Sequence, residues 1–448
     1  MATTGLLLIF CFLPFIALTT TQLNLTAIIT ITCTAVLGFI IHRTTPIYLV
    51  DFSCYRPADH LKVTHQKFMD HSKLHGAFNE SSLEFQNIIL LRSGLGEETY
   101  LPPALHAIPA VPSITTAREE AEEVIFGALD NLFHSTALNP QDIGILVVNC
   151  SIFNPIPSFS SMIINKYNLP ETVKAFNLSG MGCGSGVISV HLAQQMLKVH
   201  PNTYAVVVSS ENITGNWYTG AKKSMLIPNC LFRTGGAAVL LSNKPGEKHR
   251  AKYKLMHLIR THIGPNQAAY NCAYQQEDDA GNIGVTLSKE LMAVAVAALK
   301  VNIITLGPLV LPISERVLYL ARKLINSDKN KLCLPDFKKA FDHFCIHSGG
   351  RAVIEEMEKN LRLKKEDVEP SRMTLHRFGN TSSSSTWYEL AYLEAKGRMK
   401  KGDRVWQIGF GSGFKLNSAV WEAVRNVNPS DHNPWNDCVD KYPVEIIY

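Results

Sequence analysis

The sequence predicts a duplicated α/β fold behind a membrane-inserted N-terminal segment, and three features predict it. Strand-like and helix-like runs alternate from residue 113 onward, and their order repeats at an offset of roughly two hundred residues. Small-residue turns precede helices at corresponding places, around residues 180–186 and 381–385. The chain also opens without a single Asp, Glu, Lys or Arg over residues 1–42. Its 448 residues exceed one ordinary domain and suit two core units.

The opening segment, 1–42, holds two apolar stretches at about 5–20 and 24–41, parted by a polar patch around Thr21-Gln22. Each is at the short end of the roughly 20 residues that cross a bilayer, which favours a tight transmembrane helical hairpin. One span with a re-entrant stretch, or a cleaved signal peptide, is the alternative. Against the signal peptide, no Lys or Arg precedes the first stretch and no small-x-small site follows it. Arg43 follows the second stretch, so the positive-inside bias keeps both termini and the rest of the chain cytosolic. No other part of the sequence is expected to have membrane-spanning hydropathy.

A lead-in segment follows at 43–112. It carries His60, His65, His71 and His75. The i, i+4 pair His71/His75 suggests a metal, but no Cys or carboxylate at ligand spacing completes a site, which leaves a polar helix. The first half, 113–250, reads as helix 118–138, strand 143–150, helix 158–167, strand 175–178, a helix ending near 199, and strands 204–209 and 237–241. The second half, 251–428, reads as a helix within 309–325, strand 340–347, helix 350–361, strand 374–378, a helix from 381–385 to 395, and strand 404–410. A tail, 429–448, remains. The duplication implies two similar sheets packed around shared helices.

The net charge is +5, with Lys and Arg interspersed among Asp and Glu, so nucleic acid is not an expected partner. An anionic ligand or membrane surface fits this bias weakly. Ten cysteines occur without a CxxC, which points to a reduced, cytosolic domain. The sequons at Asn79, Asn177 and Asn380 are then chance matches.

Cys183 lies in the turn Gly180-Met181-Gly182-Cys183-Gly184-Ser185-Gly186, just before a helix. The helix dipole favours its thiolate, and flanking glycines let a carbonyl approach backbone amides. A small buried cysteine at a tight turn is the plain alternative. His347 ends a strand, where α/β active sites form. His343, four residues earlier on that strand, stands about 13 Å away and cannot share an ion with it. Asn380 could cap the next helix or donate its amide to an oxyanion. His262 and His376 are lesser candidates. Gly409-Phe410-Gly411-Ser412-Gly413 lacks GxGxxG spacing, so it is not a dinucleotide fingerprint, but it suits a loop whose backbone supports a thioester oxygen.

Four motifs carry a resemblance. They are Asn177–Cys183 (NLSGMGC), Asn229–Ala238 (NCLFRTGGAA), His343–Ala352 (HFCIHSGGRA) and Leu375–Ser385 (LHRFGNTSSSS). In this order they resemble the plant 3-ketoacyl-CoA synthases, over about residues 48–427 and including the N-terminal hairpin. The resemblance implies a thiolase-like fold of duplicated αβαβα layers and an endoplasmic reticulum membrane location with a cytosolic catalytic domain. It also implies the condensing step of very-long-chain fatty acid elongation. The family's Cys-His-Asn triad falls on Cys183, His347 and Asn380, and its further functional histidines on His262, His343 and His376. Acyl-CoA and malonyl-CoA are the implied substrates, with no cofactor and no metal. The implied partners are the membrane, a second copy in a homodimer, and other elongase components.

The sequence departs from the family at Gly184-Ser185, where Ser-Ala is usual, at Ser348, where Ala is usual, and at Leu416, where Cys is usual. The triad is untouched, so pocket shape is what these changes bear on. The resemblance implies that Cys183 attacks an acyl-CoA, that His347 and Asn380 stabilise the enolate of decarboxylated malonyl-CoA, and that the Cys183 and Gly411 amides, as the oxyanion backbone, polarise the acyl-Cys183 carbonyl. A chalcone-synthase-type polyketide synthase shares this triad but lacks the hairpin. A catalytically silent elongase subunit would not keep the triad, and a cysteine protease would not show the duplication.

Overall fold

Six of the strands expected from apolar runs meet three that were not expected, Tyr48–Cys54, Tyr253–His262 and Lys415–Ala423, in one mixed sheet of nine. In the computed structural model, which describes residues 32–34, 45–325 and 335–446, these strands are β1 (Tyr48–Cys54), β2 (Ile143–Asn149), β3 (Lys174–Leu178), β4 (Tyr204–Ser210), β5 (Gly236–Ser242), β6 (Tyr253–His262), β7 (His343–Ile346), β8 (Arg404–Gly411) and β9 (Lys415–Ala423). Their order is β7-β8-β9-β6-β1-β5-β4-β2-β3. The two halves correspond: β2 runs parallel to β4 and β4 antiparallel to β5, as β7 runs parallel to β8 and β8 antiparallel to β9.

Two expectations about the sheet change. The halves do not form separate sheets. β1, from the lead-in, pairs along β5 and also meets β6 at Tyr48↔Lys254 and Leu49↔Tyr253, so it joins them. The strand expected at 374–378 is instead the end of a helix, Lys365–Phe378. Glu366 and Asp367 in its first turn and His376 and Arg377 in its last complement the helix dipole, and the Asp367 carboxylate accepts the Lys364 amide. Pro370 sits inside the helix and masks it in sequence.

The principal helices are α1 (Ile114–Thr136), α2 (Phe159–Tyr167), α3 (Ser185–Val199), α4 (Leu291–Val310), α5 (Ile313–Ile325), α6 (Arg351–Leu361), α7 (Lys365–Phe378) and α8 (Ser385–Ala395). α1 starts earlier than expected because Ser113 and Thr116 form a capping box. α3 touches β2 and β4 of one half and β8 and β9 of the other, and α8 touches β1, β7 and β8. These two helices are the shared middle layer, and every residue from Ser385 to Glu394 is buried.

α4 corrects another expectation. It too is long and apolar enough to cross a membrane, so residues 1–41 are not alone in that. Half of it is buried in the protein, where it packs on β6 and β9, and Asn302 bonds Thr261, the Leu416 carbonyl and Ser418. The hairpin expected over residues 1–42 lies outside the described residues, apart from one helical stretch at 32–34.

Candidate active site

The segments that follow β3, β7 and α7, with the end of β8, supply the main residues singled out in the sequence. After β3 the chain turns through Gly180 (φ 63°) and Gly182 (φ 67°), a left-handed backbone that favours glycine, and delivers Cys183 two residues before α3. The turn lies directly on the β8–β9 loop. A Cβ on Gly411 would stand 2.7 Å from the Cys183 nitrogen, and one on Gly182 would stand 2.5 Å from the Ser412 nitrogen. The two stretches of backbone named as an oxyanion pair therefore abut.

His347 follows β7 and is buried, with its ring edge-on to Phe410 at 5.1 Å. Its Nδ1 is buried without a partner. A neutral ring protonated on Nε2 leaves only a lone pair unmet there, which costs less than an orphaned N–H. Burial accordingly pushes the His347 pKa down to about 3. Nε2 faces Gly349, where a Cβ would stand 3.2 Å from it.

Asn380 meets His347 at the same glycine, donating Nδ2–H to the Gly349 carbonyl at 3.3 Å. Its backbone is held by the 231–233 segment: the Asn380 amide donates to the Leu231 carbonyl (3.1 Å) and the Arg233 amide to the Asn380 carbonyl (3.0 Å). Its Oδ1 accepts the Ser382 amide at 2.8 Å. The capping role and a donor role thus fall on different atoms of one side chain. The oxygen fixes the turn and the NH2 keeps a second hydrogen to give.

Ser382 ties this group to the nucleophile. It is a non-glycine residue at φ 57°, and its hydroxyl donates to the Glu211 carboxylate at 3.0 Å and lies beside the Cys183 thiol, whose pKa it lowers. Glu211, buried just beyond β4, also accepts the amides of Ser151 and Ile152 and the Cys150 thiol. Burial raises its pKa, and these donors pull it back. Glu211 also lines a small cavity of about 40 Å³ with Ile213, Trp217, Met225, Phe232 and Val285.

Burial pushes the Cys183 thiol up to about 12; the Ser382 bond lowers it and the Glu211 charge raises it. The helix dipole does not prevail over desolvation, so both the thiol and the imidazole are neutral.

The other histidines stand elsewhere. His262, exposed at the end of β6, accepts the Gly264 amide and lies 3.8 Å from where a Gly413 Cβ would be, at the rim of the glycine loop. Burial, then Lys415 and Arg260, lowers its pKa. His376 packs on Gly96 and on Tyr442 of the tail, 3.3 Å from that hydroxyl. His343 begins β7, at the opposite end from His347, with Nε2 3.2 Å from Asp403. Glu211 and Ser382 escaped the sequence reading. A lone acid directly after the strand Tyr204–Ser210, with its Ala-Val-Val-Val centre, was the available signal for Glu211, and one serine among four gave none for Ser382. Among the described residues, no group of His, Cys, Asp or Glu is placed to hold a metal.

Comparison with known proteins extends this geometry. A family described as FAE1/Type III polyketide synthase-like protein matches residues 39–329, and the 3-oxoacyl-[acyl-carrier-protein] synthase III C-terminal family matches 338–423. The chain is 65% identical to 3-ketoacyl-CoA synthase 9 of Arabidopsis thaliana over 432 residues, which is 95% of this chain and 84% of that protein. It is 63% identical to 3-ketoacyl-CoA synthase 4 of the same plant over 436 residues, with coverage of 95% and 84%. Among solved structures, the C-terminal type III polyketide synthase domain of Steely1 from Dictyostelium superposes with a TM-score of 0.66 at 18% identity, covering 85% of this chain and 99% of that one. That likeness establishes the thiolase-like, type III polyketide synthase fold.

Proposed function

The chain belongs to the 3-ketoacyl-CoA synthase family, the condensing enzymes of very-long-chain fatty acid elongation, and on that premise we propose that Cys183, His347 and Asn380 carry its reaction. The observation that supports this most is that Ser382, which stands beside Cys183, donates its amide to Asn380, and Asn380 reaches Gly349, the glycine that Nε2 of His347 faces.

Cys183 exchanges its proton for an acyl group, releasing coenzyme A as the free thiol. Malonyl-CoA then loses carbon dioxide. The resulting enolate oxygen accepts hydrogen bonds from Nε2–H of a neutral His347 and the spare N–H of Asn380. The enolate carbon attacks the acyl carbonyl, the C–S bond to Cys183 breaks, and the thiol is reprotonated. The product is a 3-oxoacyl-CoA two carbons longer. An imidazole that resists protonation suits this donor role better than that of a standing base. The apolar cavity beside Glu211 offers the first methylenes of an acyl chain a place to begin. We also propose an endoplasmic reticulum membrane location with the catalytic domain in the cytosol, a homodimer, and contact with other elongase components. These follow from the family and from the charge-free first 42 residues.

The test is the full chain in detergent with an acyl-CoA series and radiolabelled malonyl-CoA. The expected result is labelled 3-oxoacyl-CoA and one acyl adduct by intact mass, lost in Cys183→Ala. An adduct that persists in that variant would remove Cys183 from the mechanism.

A further inference from the structure

The outer surface of α4 and α5 is apolar where a water-facing helix pair would be polar. On α4, Val301, Ile304 and Leu309 are exposed, Ile304 to 68%. Lys300 is the only charged residue of that helix. On α5 the usual order is inverted. Glu315 is buried and paired with Lys339, whereas Ile313 (74%) and Val317 (59%) face out. A soluble helix places its acid outside and its isoleucine inside. An exposed apolar stretch of this length marks a surface with a partner.

The charge pattern selects the partner. Residues 291–325 hold four Lys or Arg against one acid, the buried Glu315. A second copy docking by the same face would set this positive charge against itself. Anionic lipid headgroups would instead meet the basic residues while acyl chains meet the isoleucines, the pattern of an interfacial helix. Because Asn302 fixes the opposite side of α4 to the sheet, the helix cannot leave the protein to span a bilayer. We propose that α4 and α5 form a lipid-docking surface, by which the catalytic domain lies on an anionic membrane independently of residues 1–42.

The full chain, reconstituted in phosphatidylcholine vesicles with and without phosphatidylserine, is photolabelled with a diazirine-tailed phosphatidylcholine and mapped by peptide mass spectrometry. Lipid adducts are expected on 291–319 as well as on 1–41, stronger with phosphatidylserine. The triple variant Ile304→Glu/Ile313→Glu/Val317→Glu should lower the 291–319 adducts about tenfold and leave those on 1–41 unchanged. All three positions are exposed, so the fold should survive, and an unchanged thermal midpoint in detergent checks that. Unlabelled 291–319 peptides, or labelling indifferent to the three glutamates, would overturn the proposal. So would efficient disulfide cross-linking between two copies of Ile304→Cys in detergent, which would make the face a self-contact.

Discussion

Asn149 and His347 stand at the C-terminal ends of β2 and β7, strands in corresponding places of the two halves, and they have opposite fates. Asn149 is fully buried and saturated. Its Nδ2 serves Ser189, Ser209 and the Val208 carbonyl, and its Oδ1 accepts from Ser185. His347 is equally buried, yet its Nδ1 has no partner and its Nε2 looks toward the glycine that Asn380 also reaches. The same end of corresponding strands thus braces α3 in one half and presents an under-satisfied ring in the other. A buried polar group that is saturated holds structure. One left short is where chemistry is expected, because a ligand can still supply the missing interactions.

The comparison breaks most sharply at the donor beside His347. Asn380→Ala should still take up one acyl group on Cys183 but release carbon dioxide from malonyl-CoA roughly a hundred- to a thousandfold more slowly. Acylation by intact mass and carbon dioxide release measured separately distinguish the two. Normal decarboxylation would make Asn380 purely a turn residue held by 231–233.

Stability should divide the pair the other way. Asn149→Leu strands three hydroxyls and a carbonyl and should cost about 2–4 kcal/mol. His347→Leu removes an orphaned nitrogen and should change stability by no more than about 1 kcal/mol while abolishing condensation. Urea midpoints of the two variants decide it, and a His347→Leu loss as large as that of Asn149→Leu would mean the ring is structural.

Much of this was legible in sequence because it is local. Glycines around Cys183, a histidine closing a strand and an asparagine before serines each announce themselves within a few residues. The features that escaped depend on distant partners. β1 joins the halves only through pairing some two hundred residues away. α4 is apolar on both sides, so it shows no helical period to read. Ser382 matters because a left-handed φ aims it at residues distant in sequence, Glu211 and Cys183, and nothing nearby marks it among its neighbours.

The ionisation of the pair gives a smaller effect. With the Cys183 thiol up at about 12 and the His347 imidazole down at about 3, both stay neutral between those values. The thiolate fraction then rises with pH throughout. Iodoacetamide labelling of Cys183, followed by peptide mass spectrometry, should accelerate about tenfold per unit from about pH 6 to pH 9. A thiolate–imidazolium pair would instead give a plateau across that range, and a plateau would show that the helix dipole and His347 together overcome desolvation.

The smallest effect is expected at His343, and it tests whether nearness in sequence means nearness in function. His343 shares a motif with His347 but opens the strand that His347 follows. Four residues of extended chain separate them by about 13 Å. Its Nε2 lies 3.2 Å from Asp403, whose carboxylate also accepts the Lys400 amide, so the contact clamps the turn leading into β8. Partly exposed pairs of this kind contribute about 0–1 kcal/mol. His343→Ala should therefore lower the thermal midpoint slightly and leave kcat/KM for condensation within about twofold. A larger loss of activity with the midpoint unchanged would mean that β7 transmits the state of its first residue to His347. The contrast between braced and presented side chains would then fail within a single strand.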